Sequence, residues 1–268
     1  KHVLCEKPTA LDAGEAEEMV KAASEKPHLA ALMDHELRFL PSRRTFHRAL
    51  RDGTVGEIFH VEGAFFSSFR LDPAGRWSWW SDRKLGGGML GALGSHVVDS
   101  LTWLLGRRVE AVAAQEGVAH AERLDVAGHP KTVTADDYAA LQLRFEGGLP
   151  GTIQLSAVSA GPATHRLAVF GSEGTLVWED GRLSAYRPGF SEPRTLAVDP
   201  PTALPHGVPN QPFTRGTLYL GGALRQALQE GDAGALEPAA SMADGLEVQR
   251  VLDAARRSAE TGVWVEVP

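Results

Sequence analysis

The chain has 268 residues, 43% hydrophobic and 23% charged, proportions that exclude a disordered or fibrous protein and suit one large domain or two modest ones. Its formal charge of -7 comes from 34 acidic against 27 scattered basic residues, which argues against nucleic acid or an anionic membrane as partner and leaves small ligands open. A single cysteine, Cys5, excludes an internal disulfide and suits a reducing cytoplasm; no run approaches the roughly 20 apolar residues of a membrane span.

The chain opens on Lys1 and enters an apolar run at once, so we expect it to be a piece of a longer protein. His2-Val3-Leu4-Cys5 reads as a buried parallel strand stopped by Glu6-Lys7-Pro8. Asp12 then caps a helix with acids over its first turn and Ala16, Met19, Val20 and Ala23 as its inward stripe, closed by Pro27. Leu29 to Met33 is a second strand, and Pro41 precedes a basic amphipathic helix from Ser42 to Arg51. This alternation implies a parallel α/β sheet.

From Gly56 the pattern changes. Ile58 to Phe66, Val109 to Gly117, Tyr138 to Phe145, Thr152 to Ser159, His165 to Phe170, Thr175 to Glu179 and Leu183 to Tyr186 are strands parted by turn residues, forming a mostly antiparallel sheet. In Tyr138 to Phe145, Leu141, Leu143 and Phe145 share one face and Gln142 and Arg144 the other, so one face of the sheet is expected to meet solvent or a partner. Helices are predicted over Leu90–Leu105, Phe213–Gln229 and Met242–Thr261, and a surface loop over Pro188–Pro212.

Gly86-Gly87-Gly88-Met89-Leu90-Gly91 fits G-x-G-x-x-G in letters, but Arg76 to Lys84 before it do not make the buried strand that a dinucleotide fingerprint requires, so we read it as the entry to a closely packed helix. On that helix His96, Asp99 and Trp103 share a face. His96 near the N-terminus has its charged form disfavoured by the helix dipole, as suits a base; a structural His96–Asp99 pair is the alternative. Lys7 lies where ligands bind in open α/β sheets, beyond the carboxyl end of a strand, on an X-Pro bond that is a candidate for the cis form. His35 and Arg38 follow the next strand in the equivalent position; a surface lysine and a solvated loop are the plainer readings. Trp77, Trp79 and Trp80 with Phe65, Phe66 and Phe69 read as a sugar-stacking pocket, or as core or oligomer interface. No Cys/His metal spacing and no G-x-S-x-G elbow is present.

Glu6-Lys7-Pro8, Arg38-Phe39 with Pro41, Gly86-Gly87-Gly88 leading to Gly94-Ser95-His96-Val97-Val98-Asp99 and Trp103-Leu104-Leu105-Gly106, Asp136-Asp137-Tyr138, Gly171 to Thr175 and Asp244 to Gly262 together resemble the Gfo/Idh/MocA oxidoreductases over almost the whole chain. The resemblance implies an α/β (α+β) fold. Residues 1–40 would be the residual end of a Rossmann nucleotide-binding domain, its first strands absent. Residues 41–268 would be a dihydrodipicolinate-reductase-like α/β domain with a large, mostly antiparallel open sheet for substrate binding and oligomerisation. It also implies hydride transfer between NAD or NADP and a sugar, polyol or related hydroxyl compound, in a cytoplasmic homo-oligomer built through the open sheet face. Lys7 resembles the family's active-site lysine and His96 its general acid–base; Glu6, Lys7, Pro8 and Arg38 resemble the residues at the cofactor crevice. In many members an aspartate stands one helical turn before the histidine, where this chain has Ala92. That departure motivates the alternative of a non-catalytic ligand sensor or scaffold; a pure binding module is a third reading, and predicts a large apolar sheet face with no ordered crevice around Lys7 and His96.

Overall fold

The computed structural model describes residues 1–268 as a small sheet and a large sheet that share one long helix. β1 (Val3–Cys5), α1 (Ala13–Ser24) and β2 (Ala31–Met33) form a right-sized strand–helix–strand unit, with β1 and β2 parallel and Cys5 opposite Met33. The Asp12 carboxylate accepts from the Glu15 backbone N–H at 3.0 Å and starts α1 where its sequence pattern does; the helix stops at Ser24, short of Pro27. The third strand of this sheet arrives from far along the chain, Ala240–Ser241, antiparallel to β2.

α2 (Pro41–Arg51) leads into β3 (Ile58–Phe66), the centre of the large sheet. After a long excursion come α3 (Ser95–Leu105), β4 (Val109–Gly117), the hairpin of β5 (Glu122–Leu124) and β6 (Pro130–Thr132), and then β7 (Tyr138–Phe145) and β8 (Leu149–Ser156). β9 (Thr164–Gly171), β10 (Gly174–Glu179), β11 (Arg182–Tyr186) and the two-residue β12 (Arg194–Thr195) follow, the last inside the stretch expected to be all loop. α4 (Pro212–Gln229), β13 (Ala240–Ser241), α5 (Met242–Thr261) and β14 (Val265–Glu266) complete the chain.

The nine strands run in the order β12-β11-β10-β9-β3-β8-β7-β4-β14, antiparallel except for β3 beside β8, where Val61 faces Gly151. Leu141, Leu143 and Phe145 point into the core, where Val97, Leu101 and Leu104 of α3 and Val248, Val251, Leu252 and Ala255 of α5 cover them. Gln142 lies on the opposite face with Thr152 and Gln154, so that face is polar, not the apolar surface a pure binding module would show. α2 docks on the far end of the same core: the Trp178 indole N–H donates to Ser42 Oγ at 2.8 Å, and the Arg43 guanidinium lies 3.7 Å from the Trp178 ring centre.

α5 joins the two sheets. Ser241 and Asp244 form a reciprocal capping box at its start. The Thr9 hydroxyl donates to the Gly245 carbonyl at 2.9 Å on the small-sheet side, and the Ala114 N–H donates to Ser258 Oγ at 2.9 Å on the large-sheet side. These links fix the carboxyl ends of β1 and β2 over the N-terminal end of α3.

Candidate active site

The segment from Leu90 to Leu105 is not one regular helix. Leu90–Gly94 winds as a π turn before α3 begins at Ser95. Gly86, Gly87 and Gly88 make a tight entry rather than a phosphate cradle: at Gly88 φ is 104°, and a side chain there would run into Asp136. That aspartate was part of the resemblance but carried no role; its carboxylate accepts from the Leu90 N–H at 2.7 Å and its carbonyl from the Met89 N–H at 2.9 Å, holding the start of the π turn. Burial, with Glu116 nearby, pushes its carboxyl up to about 6.

The π turn presents its backbone to the small sheet. Lys7, on the turn after β1, donates from Nζ to the Ala92 carbonyl at 2.9 Å. Ala92, the position where the resemblance implies an aspartate, therefore meets the lysine through its main chain. The Lys7–Pro8 bond is cis. Burial lowers the Lys7 pKa against the opposing pull of Glu36, Glu6 and Asp34.

His96 is buried to 2% exposure, with Phe213 of α4 against its ring at 5.0 Å and His35 edge-on at 5.9 Å. Its Nδ1 faces Glu36 Oε2 at 3.9 Å and has no hydrogen-bond partner. Burial first, then the positive groups Lys7, His35, His165 and Arg43, drive its pKa well below the ordinary value. The ring is neutral, as expected from the sequence, but for a different reason. His96 lies more than a turn inside the helical segment, so desolvation, not the helix terminus, keeps it uncharged.

Lys7 and His96 share one crevice of 540 Å³ with Glu6, Asp34 and Glu36, roofed by Leu93, Val208, Phe213 and Leu218 and edged by Thr214 and Thr217 of α4. Asp34 and Glu36 were absent from the sequence-based set, although they follow β2 beside His35 and Arg38, the same strand-end signal. Burial and then the Asp34 charge push the Glu36 carboxyl up to about 8. Burial and Glu6 push Asp34 up to about 6.

Arg38 and His35 do not line this crevice. Arg38 is buried, its Nη2 donating to Asp99 Oδ1 at 2.6 Å and to Asp244 Oδ1 at 3.2 Å, and its Nε to Asp99 at 3.1 Å. These contacts tie the turn after β2 to α3 and α5 and hold Arg38 apart from the crevice that Lys7 and His96 line. Asp99 is likewise committed to Arg38, so the His96–Asp99 pair of the alternative reading does not form; His35 Nδ1 stands 3.8 Å from Asp99 instead. Trp103 stacks on His47 at 4.4 Å. Pro8 follows Lys7 in the turn without lining the crevice, and Glu6 stands exposed at its mouth. The aromatic cluster divides: Phe69 meets Trp80 edge-on and Trp79 tilts against Trp80, Trp77 lies under Lys131, and Phe65 packs on His165 and Phe213 behind His96.

Residues 44–177 match the family described as the GFO/IDH/MocA C-terminal domain. The chain is 32% identical over 291 residues to glucose-fructose oxidoreductase domain-containing protein 2 of Homo sapiens, covering 100% of this chain and 71% of that protein. It belongs to the GFO/IDH/MocA family. Among solved structures of this fold, an oxidoreductase domain protein from Kribbella flavida superposes with a TM-score of 0.86 at 27% identity, covering 100% of this chain and 74% of that one. Levoglucosan dehydrogenase, in its complex with NADH and L-sorbose, superposes at 0.84 with 24% identity and covers 100% and 74%. Within the family, the α/β architecture with a large, mostly antiparallel sheet is the shared frame, and no helix of this chain is long and apolar enough to cross a membrane.

Proposed function

We propose that the chain is the substrate-binding part, with the end of the nucleotide-binding domain, of an NAD(P)-dependent oxidoreductase acting on a hydroxyl of a sugar or polyol. In this reading residues 1–40 belong to the nucleotide domain and residues 41–268 to the substrate domain. The observation that carries the proposal is a desolvated lysine and a neutral, buried histidine in one crevice at the carboxyl ends of parallel strands. The NADH and L-sorbose bound by levoglucosan dehydrogenase, which shares the fold, are consistent with that chemical class.

The residues present fit the nicotinamide end of such a cofactor. Buried polar atoms without partners, Asp34 Oδ1 and His96 Nδ1, belong to residues of the crevice, and its apolar roof suits a flat ring. Glu6, Lys7 and Pro8 would border that end; the Gly86–Gly88 turn does not serve the pyrophosphate. When bound, the nicotinamide supplies the two-electron acceptor. The protein's own groups do the rest: the Lys7 ammonium, oriented by the Ala92 carbonyl, stabilises charge developing on the reacting oxygen, and His96 takes the hydroxyl proton. A cytoplasmic homo-oligomer formed through the polar sheet face completes the proposal.

The test is turnover with NAD or NADP and a polyol panel. Lys7→Ala and His96→Ala are each expected to lower kcat/KM by about a hundredfold or more. Variants as fast as the parent would remove the assignment. Ala92 favours the rival reading, a ligand sensor, which is supported if a polyol binds the parent without any turnover.

A further inference from the structure

We infer that Glu36 is the carboxylate partner of His96, set on the turn after β2 instead of on α3, and that it fixes the tautomer of the ring and receives the proton the ring passes on. The inference rests on the reaction class proposed above for its kinetic part and on geometry alone for its structural part.

The first observation is an orphan. His96 Nδ1 is buried without a hydrogen-bond partner, and the acceptor facing it is Glu36 Oε2 at 3.9 Å. A small rotation of the glutamate, or one bridging water, closes that gap. The second is that α3 has no carboxylate to offer. Ala92 stands one turn before the histidine, and Asp99, one turn after it, is held by Arg38. The third is that Glu36 is held in place. α4 crosses it so closely that a Cβ at Gly216 would lie 2.7 Å from Glu36 Cγ and 2.8 Å from its carbonyl, which leaves the carboxyl directed to the crevice it lines.

The charged groups around Glu36 come from three sides. Asp34 adjoins it on the turn after β2, Lys7 and Glu6 face it from the turn after β1, and neutral His96 faces it from α3; α4 contributes the uncharged Thr214 and Thr217. Two further acids line the same crevice, Asp34 buried and Glu6 exposed at its mouth, and offer Glu36 a way to solvent. Oxidation then balances as follows. The substrate O–H bond breaks as His96 Nε2–H forms; the Nδ1–H bond breaks as the Glu36 carboxylate takes that proton; the carbinol hydrogen with its electron pair would pass to the two-electron acceptor that a nicotinamide supplies; and the proton leaves Glu36 along the acids of the crevice to water. His96 ends neutral, its tautomer exchanged. Ionised Glu36 holds Nδ1–H and readies Nε2 as the base, so oxidation gains as pH rises through the Glu36 value of about 8, and reduction gains below it.

The experiment is nitrogen-15 NMR of the histidine rings from pH 6 to 10, on the parent, Glu36→Gln and Asp34→Asn, beside the pH profile of kcat. In the parent, His96 is expected to change tautomer with a midpoint near 8. Asp34→Asn moves that midpoint down and keeps the change. Glu36→Gln abolishes it and lowers kcat for oxidation about tenfold to a hundredfold, removing the acid limb of the profile while KM stays within about twofold. Ring signals of His96 that are identical in the parent and Glu36→Gln overturn the inference, whether or not the protein turns over. A tautomer change that survives only in the parent, in a protein that oxidises no polyol, upholds Glu36 as the partner of His96 and removes the proposed reaction instead.

Discussion

Residues 36 and 38 lie two apart on the same turn, both buried, both charged in type, and they meet opposite fates. Arg38 makes four contacts with Asp99 and Asp244 through Nε and Nη2 and does not line the crevice. Glu36 makes none: its carboxyl stands among Asp34, Glu6, Lys7 and His96 without a settled partner, and is pushed up to about 8. A buried charge placed for architecture is neutralised at short range, because desolvation is otherwise too costly. A buried charge placed for chemistry is left unpaired and carries a shifted pKa, the cost borne by the surrounding fold. The difference separates the two networks more sharply than position in the sequence does.

The largest expected effect lies in the paired network. Asp99→Ala strips Arg38 of its main partner and leaves a buried guanidinium facing only Asp244, whose carboxylate is partly solvated. Denaturant unfolding is expected to show a loss of about 3 kcal/mol or more. A loss under about 1 kcal/mol would mean that Arg38 is not an anchor, and the contrast with Glu36 would fall.

The unpaired network behaves in the opposite direction. Glu36 has a folded value of about 8 against an ordinary 4.5, so the folded chain holds that proton more tightly than the unfolded one. Its stabilising contribution is full below about pH 4.5 and is lost as pH rises through about 8. Thermal unfolding of the parent is therefore expected to weaken over that window by about 2 kcal/mol, the crevice's access to solvent reducing the ideal figure. Glu36→Gln is expected to flatten the slope and to match or exceed the parent in stability at pH 9. A steeper slope in the variant would show that the carboxyl is stabilised in its charged form.

Most of the frame was legible in the residues. Alternation in β7 put Leu141, Leu143 and Phe145 inside, and helical spacing of apolar residues placed α5 over Met242–Thr261, because each signal is local. β8 begins at Leu149, three residues before the expected Thr152, since the Glu146–Gly148 turn feeds directly into it. The π turn was not legible: a stretch of leucine, alanine and glycine keeps its apolar face whether it winds with one residue more or less per turn. Lys7 and His96 could be found because strand ends and a helix face are short-range features. Glu36 could not be ranked above Arg38, since its burial is made by α4, about 180 positions away in the chain, and whether an arginine is paired depends on Asp99 and Asp244, which only the fold brings to it.

The smallest expected effect tests why His96 is neutral. If burial dominates, as its surroundings indicate, the wall of aromatic rings is what sets its basicity, and Phe213, 5.0 Å from the imidazole and half-buried, is the part of that wall nearest solvent. Phe213→Ala opens the roof to water without touching Lys7, Glu36 or the Arg38 anchor. It is expected to cost about 1 kcal/mol in stability, below the value for a fully buried ring, and to raise the His96 pKa toward the ordinary histidine range, read by the same ring NMR. If the repulsion of Lys7 and Arg43 dominated instead, the pKa would stay low in Phe213→Ala and rise in Lys7→Met. The two variants together decide whether the base is tuned by what surrounds it or by what charges it faces.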